Sequence, residues 1–124
     1  MSGDGLLLDT NVVILTLGGN ELLAGHMESK RLFVSIVTEM ECLSYPFRER
    51  KDEMVVREFM RRCTVLGIEE RIKEEAIVIR RNHGLKLPDA VIAATALVLG
   101  VPMLTADKGF LRLRNELVVD LFEP

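Results

Sequence analysis

The sequence predicts an α/β protein, a three-layer α/β/α sandwich with a central parallel sheet of four to five strands. Three observations carry that expectation. Short apolar runs alternate with helix-length segments along the whole chain. The first run, Gly5 to Asp9 (GLLLD), is apolar at each position before its acid, as a strand buried on both faces is. The length of 124 residues and an apolar content of 48% suit one core, and no linker or internal repeat divides it. Residues 1–124 are therefore expected to form a single domain.

The elements follow in order. Asn11 to Leu17 reads as a short helix ended by Gly18-Gly19, with Asn20 starting another. Leu32 to Ile36 (LFVSI) is the second strand, and Thr38 to Tyr45 a helix closed by Pro46. Glu49 to Arg62 has helical periodicity, with Met54 and Phe59 on its apolar face. Thr64 to Ile68 (TVLGI) is the third strand; a charged amphipathic helix from Glu69 to Asn82 follows, and His83-Gly84 ends it as a glycine cap does. Pro88 opens the next helix, where proline's fixed φ and missing N–H do no harm. Ala90, Ala93 and Ala94 share one face of it, and their small side chains let a helix lie close to a sheet. Pro102 to Thr105 is the fourth strand, Asp107 to Leu113 a short helix and Leu117 to Leu121 the fifth strand.

Composition bounds the function only loosely. The net charge of −3 disfavours a nucleic-acid partner at first sight. Basic residues nevertheless cluster at Arg48 to Arg62, at Arg80, Arg81 and Lys86, and at Lys108 to Arg114. Such clusters serve either as solvated helix faces or as local holders of phosphate. Cys42 and Cys63 lack CxxC spacing, and with no secretory signal in view both read as reduced, buried thiols of a cytoplasmic protein. The most apolar stretch, Ala90 to Leu104, is broken by Gly100 and Pro102 and is shorter than the roughly 20 residues a membrane crossing needs, so no membrane association is expected.

Functional crevices of open parallel sheets lie outside the carboxyl ends of the strands. Asp9 follows the first strand, Thr38, Glu39 and Glu41 the second, and Asp107 the fourth, while Asp89 sits in the first turn of the preceding helix. Each has an ordinary explanation alone. Asp9 and Asp107 suit helix N-caps, Thr38-x-x-Glu41 fits a capping box, and Asp89 suits the positive end of a helix dipole. Convergence changes the reading, because carboxylates gathered at one end of a sheet repel one another and are best tolerated around a cation. Oxygen-only donors favour Mg²⁺ or Mn²⁺ over zinc. His26 and His83 follow no ligand spacing and read as surface or helix-end residues. No Ser/His/Asp or Cys/His arrangement, P-loop or GxGxxG competes. A phospho-acceptor receiver domain would need an Asp ending the third strand, where the chain reads VLGIE.

The opening LLLDTN (Leu6 to Asn11), VTEMECL (Val37 to Leu43), LPDAVIAATAL (Leu87 to Leu97) and LTADKGF (Leu104 to Phe110) together resemble the PIN-domain nucleases. Among these, the likeness is to the VapC-type toxin halves of toxin–antitoxin pairs. The resemblance implies a PIN-like sandwich and an endoribonuclease using Mg²⁺ or Mn²⁺ held by Asp9, Glu41, Asp89 and Asp107. Helical periodicity does not choose between Glu39 and Glu41; the family pattern, an acid three residues after Thr38, selects Glu41. It also implies that Thr10 and Asn11 orient Asp9 and that Thr105 is the hydroxyl residue ahead of the last acid. Many relatives carry a further acid before the final Phe, where this chain has Gly109, so one ion is expected. The implied partners are an RNA substrate, a cognate antitoxin protein whose tail crosses a groove near the acids, and a second copy in a homodimer. Two other readings stand beside this one: a PIN nuclease that processes RNA without an antitoxin, and a PIN fold retained for binding alone.

Overall fold

The structure, a computed structural model, describes residues 4–123. Five strands run parallel: β1 (Gly5–Leu8), β2 (Arg31–Ser35), β3 (Thr64–Leu66), β4 (Met103–Thr105) and β5 (Val119–Leu121). Their order across the sheet is β3-β2-β1-β4-β5. The helices are α1 (Thr10–Leu17), α2 (Glu21–Met27), α3 (Ile36–Leu43), α4 (Arg50–Arg61), α5 (Glu70–His83) and α6 (Leu87–Leu99), with a 3-10 helix at Lys108–Leu113.

The central strand shows why the molecule has three layers. All four residues of β1 are buried. Leu7 points into a core shared with Ile72, Ile79 and Ile92 of α5 and α6, whereas Leu6 and Leu8 point into a second core with Val12, Leu23 and Phe59. Period-2 alternation thus delivers apolar side chains to both faces, and a strand that is apolar throughout needs a helical layer on each. On α6, Ala90, Ala93, Ala94 and Ala96 have no exposed surface, so the helix backbone can approach the sheet closely. Thr95, buried among them, donates its hydroxyl to the Val91 carbonyl at 2.8 Å and leaves no polar atom unsatisfied.

Helix ends follow local chemistry. Gly84 (φ 68°) and Gly100 (φ 71°) take the left-handed conformation that closes α5 and α6. Asn20 caps α2 by accepting from the Leu23 amide at 3.0 Å. The expectation for α3 needs correction. It begins at Ile36, capped by Ser35, whose Oγ accepts from the Val37 amide at 3.0 Å. Thr38 lies inside the first turn, fully buried, and is not the start of a capping box. Ile36, read as the end of a strand, is helical together with Val37 because Ser35 offers the cap three residues ahead of Thr38.

Two smaller corrections concern burial. Met54 is 57% exposed, and α4 instead buries Val56, Phe59 and Met60. Cys63 is half-buried while Cys42 is buried; both thiols are free, and burial pushes each up to about 11, so neither is reactive. The cations of α4 are largely used locally: Arg57 meets Glu53 at 2.8 Å and Arg61 meets Glu58 at 2.7 Å, both exposed pairs of small energetic weight. No helix among the described residues is long and apolar enough to cross a membrane.

Leu7 has no exposed surface. Leu7→Ala should therefore lower unfolding free energy by about 2–5 kcal/mol, while Met54→Ala should change it by less than about 0.5 kcal/mol. Urea denaturation of the two variants checks the contrast.

Candidate metal centre

The strand order changes direction between β1 and β4, which leave the sheet centre on opposite sides. Loops diverge there and open the crevice in which parallel sheets place ligands. Asp9 occupies its floor. Its amide extends the ladder to the Leu104 carbonyl at 3.0 Å, and its own carbonyl accepts from the Val12 and Val13 amides to start α1. Strand and helix are joined through one residue, which fixes where the side chain goes.

The Asp9 carboxylate is 3% exposed. Oδ1 accepts from the Thr10 amide at 2.8 Å and Oδ2 from the Thr105 hydroxyl at 2.7 Å. Thr105, fully buried at the end of β4, also accepts the Asp107 amide at 3.0 Å, so one hydroxyl ties the first acid to the last. Asp107 is exposed, and its Oδ1 accepts from the Gly109 amide at 2.8 Å in the capping turn of the 3-10 helix. A Cβ at position 109 would lie 3.1 Å from that oxygen, so the absence of a side chain there leaves Asp107 its present place.

Glu41 approaches from α3. Its Oε1 accepts from the Thr10 hydroxyl at 2.6 Å, and that hydroxyl lies 3.0 Å from the hydroxyl of Thr38. Asp89, half-buried in the first turn of α6, completes the group. The four are within electrostatic reach. Burial pushes the Asp9 carboxyl up to about 6 against the opposing hydrogen bonds from Thr105 and Thr10, and the charges of Asp89 and Asp107 push the same way. Asp89 is raised chiefly by burial, then by Asp107 and Glu41, with Lys86 opposing.

Among the described residues, no ion pair neutralises any of these four acids. Nor, among the described residues, do any three acidic, His or Cys side chains stand close enough together as placed to hold a metal ion. The group is an open, anionic, oxygen-only crevice. That donor set suits a hard dication, whose charge would relieve the repulsion that raises Asp9 and Asp89.

The neighbours differ in part from what the sequence suggests. Thr10 supports Asp9 through its backbone amide and gives its hydroxyl to Glu41. Asn11 turns to the β4 loop, where its Oδ1 accepts from the Ala106 amide at 3.1 Å, and so braces the chain ahead of Asp107. Thr38, read from sequence as a cap, joins the site; its signal was the i, i+3 spacing that puts it on the Glu41 face. Glu39 has no hydrogen bond to this group. His83 pairs with Glu116 at 2.6 Å, far from any ligand role. Arg80 and Arg112 donate to the carbonyls of Leu85 (3.2 Å) and His83 (2.8 Å), pinning the loop that leads into α6 and Asp89.

Beside Glu41 runs an apolar groove of about 770 Å³ between α1, α3 and α4. Ile14, Leu17, Tyr45, Phe47 and Val55 line it, with Tyr45 and Phe47 packed edge to face at 5.5 Å.

Comparison with known proteins is consistent with this layout. The profile described as PIN domain matches residues 6–116. A toxin–antitoxin complex from Klebsiella pneumoniae contains a chain 26% identical, aligned over 96% of this chain and 99% of that one, with a TM-score of 0.83. VapBC2 from Rickettsia felis bound to a promoter DNA fragment gives 0.84 at 12% identity over 96% and 99% of the two chains. DNA-bound VapBC from Salmonella typhimurium gives 0.81 at 20% identity over 94% and 96%. No curated protein matches the chain in sequence.

The raised Asp9 carboxyl has a thermodynamic consequence. Folded Asp9 keeps its proton to a higher pH than the unfolded chain does, from 3.8 to about 6. The contribution of Asp9 to stability is therefore fully present below the lower value and is lost as pH rises through the upper one, a loss of about 3 kcal/mol for metal-free protein. Asp9→Asn should flatten this decline and raise the thermal midpoint at neutral pH in EDTA. Urea titrations of both proteins at stepped pH measure it; an unchanged slope would remove Asp9 as the buried charge.

Proposed function

The chain belongs to the PIN domain family, and from that premise we propose that it is a metal-dependent endoribonuclease, the toxin of a VapBC-type toxin–antitoxin pair. The observation that carries the nuclease reading is the crevice of four acids, none of which is held in an ion pair among the described residues. Asp9, Glu41, Asp89 and Asp107 would hold Mg²⁺ or Mn²⁺. Bound there, the ion would supply an activated water and charge neutralisation for an in-line attack on an RNA phosphodiester.

The chain's own contribution is placement. Asp9 is fixed from two sides by Thr10 and Thr105, so it has one orientation to offer. Glu41 and Asp107 are exposed and stand at the crevice mouth, where substrate enters. The Asn11 brace and the Thr105 hydroxyl hold the backbone on either side of Ala106, which keeps Asp107 in register with Asp9.

The toxin reading is supported by the solved structures of similar fold, which are complexes described as toxin–antitoxin or VapBC. The groove beside Glu41 fits it: its apolar lining would take the apolar side chains of an inhibitor's tail. A basic residue on that tail would then reach the acids and compete with the metal for the same carboxylates.

Purified protein should cleave RNA with Mg²⁺ or Mn²⁺ and lose that activity in EDTA. Asp9→Asn and Glu41→Gln should each reduce cleavage by more than the roughly 10–100-fold that loss of an outer partner causes. Glu39→Gln should stay near wild type. A gel assay on labelled RNA decides; full activity in Asp9→Asn would reject the site, and the reverse result for the two Glu variants would reject the choice of Glu41.

Expression of the active protein alone should arrest growth, and co-expression with the adjacent gene should relieve the arrest. Harmless expression of a demonstrably active protein would favour an RNA-processing nuclease without an antitoxin.

A further inference from the structure

We propose that Thr38 is a positioning residue for Glu41, acting through the Thr10 hydroxyl; the inference rests on the acidic-site reading above. The Thr10 hydroxyl has one proton, and it lies 2.6 Å from Glu41 Oε1, an acceptor. With that proton committed, the 3.0 Å contact between the hydroxyls of Thr10 and Thr38 requires Thr38 to be the donor. Thr38 has no exposed surface, so water does not compete for its hydroxyl.

The result is a directed chain from Thr38 through Thr10 to Glu41. Its buried end is anchored in the first turn of α3, behind the Ser35 cap. Its outer end holds the carboxylate of an exposed side chain, which would otherwise turn freely among rotamers in solvent. A donor aimed at Thr10 also polarises that hydroxyl toward Glu41, as linked hydrogen bonds do. The chain bridges α1 and α3, the two helices that leave adjacent strands β1 and β2. Glu41 is thereby set against the Asp9 side of the crevice by hydroxyls, with no cationic partner to compete with an incoming ion.

The test reads metal affinity separately from cleavage. Mn²⁺ binding is measured by calorimetry on wild type, Thr38→Val, Thr38→Ser, Thr10→Val and the Thr38→Val/Thr10→Val double variant. Thr38→Val keeps the shape and removes the hydroxyl, and should weaken Mn²⁺ binding about tenfold, the low end for an outer partner, while Thr38→Ser restores it. Because both threonines act through one chain, the double variant should bind no more weakly than Thr10→Val alone. Unchanged affinity in Thr38→Val, or losses that add in the double variant, would overturn the proposal. Should Thr38→Val fail to fold, the half-exposed Thr10→Val variant and Thr38→Ser carry the same comparison: loss in the first and retention in the second support the chain, and any other pattern overturns it. Glu41→Gln serves as the reference. If it leaves Mn²⁺ affinity unchanged, the acidic-site reading falls and the relay with it; if it weakens binding while Thr38→Val does not, the relay alone fails.

Discussion

A carboxylate with almost no access to water sits where β1 gives way to α1, and much of the surrounding architecture answers to it. Asp9 shares its backbone between the ladder to Leu104 and the first hydrogen bonds of α1, so the side chain cannot be moved without moving both. Thr105 and Thr10 supply the hydrogen bonds that a buried anion needs. Their geometry in turn sets the approach of Asp107 and Glu41. The acids are thus linked through two threonine hydroxyls and a shared crevice.

This arrangement works against the fold that carries it. Burial and like charge both penalise the ionised acids, and the structure offsets the penalty with hydrogen bonds at Asp9 and with the charge of Lys86 at Asp89. The apolar layers make that tolerable. Leu7 on one side and Leu6 and Leu8 on the other anchor the central strand in two separate cores, directly ahead of the acid. Bracing continues further out, where Arg80 and Arg112 hold the loop before Asp89 by its carbonyls. Lys86 acts on Asp89 through its charge, while Arg57 and Arg61 are held in exposed pairs on α4.

Much of this was legible in the residues. An apolar run ending in an acid marks β1 and its crevice, and glycine at positions 84 and 100 marks the ends of two helices. Other features depended on competition that spacing does not resolve. The stretch from Leu32 to Val37 is apolar at every position but one, so strand and helix share the pattern, and the cap chosen by the fold, Ser35, sits in its middle. Asn11 follows Asp9 closely in sequence, yet a half-turn of helix directs it to Ala106 instead. Thr38 reads as a cap because Ser and Thr usually serve there; only the packing of α1 against α3 turns its hydroxyl toward Thr10.

The edge-to-face pair that flanks the apolar groove has a use beyond packing. Tyr45 is the single tyrosine of a chain without tryptophan, and it is 67% exposed. Excited at wavelengths that phenylalanine does not absorb, the molecule therefore emits from one ring on the wall of that groove. An occupant that covers the ring changes the signal without any label, whereas events confined to the far layer, around α5 and α6, leave it unchanged. The molecule carries its own optical probe, placed beside Glu41 and blind to almost everything else.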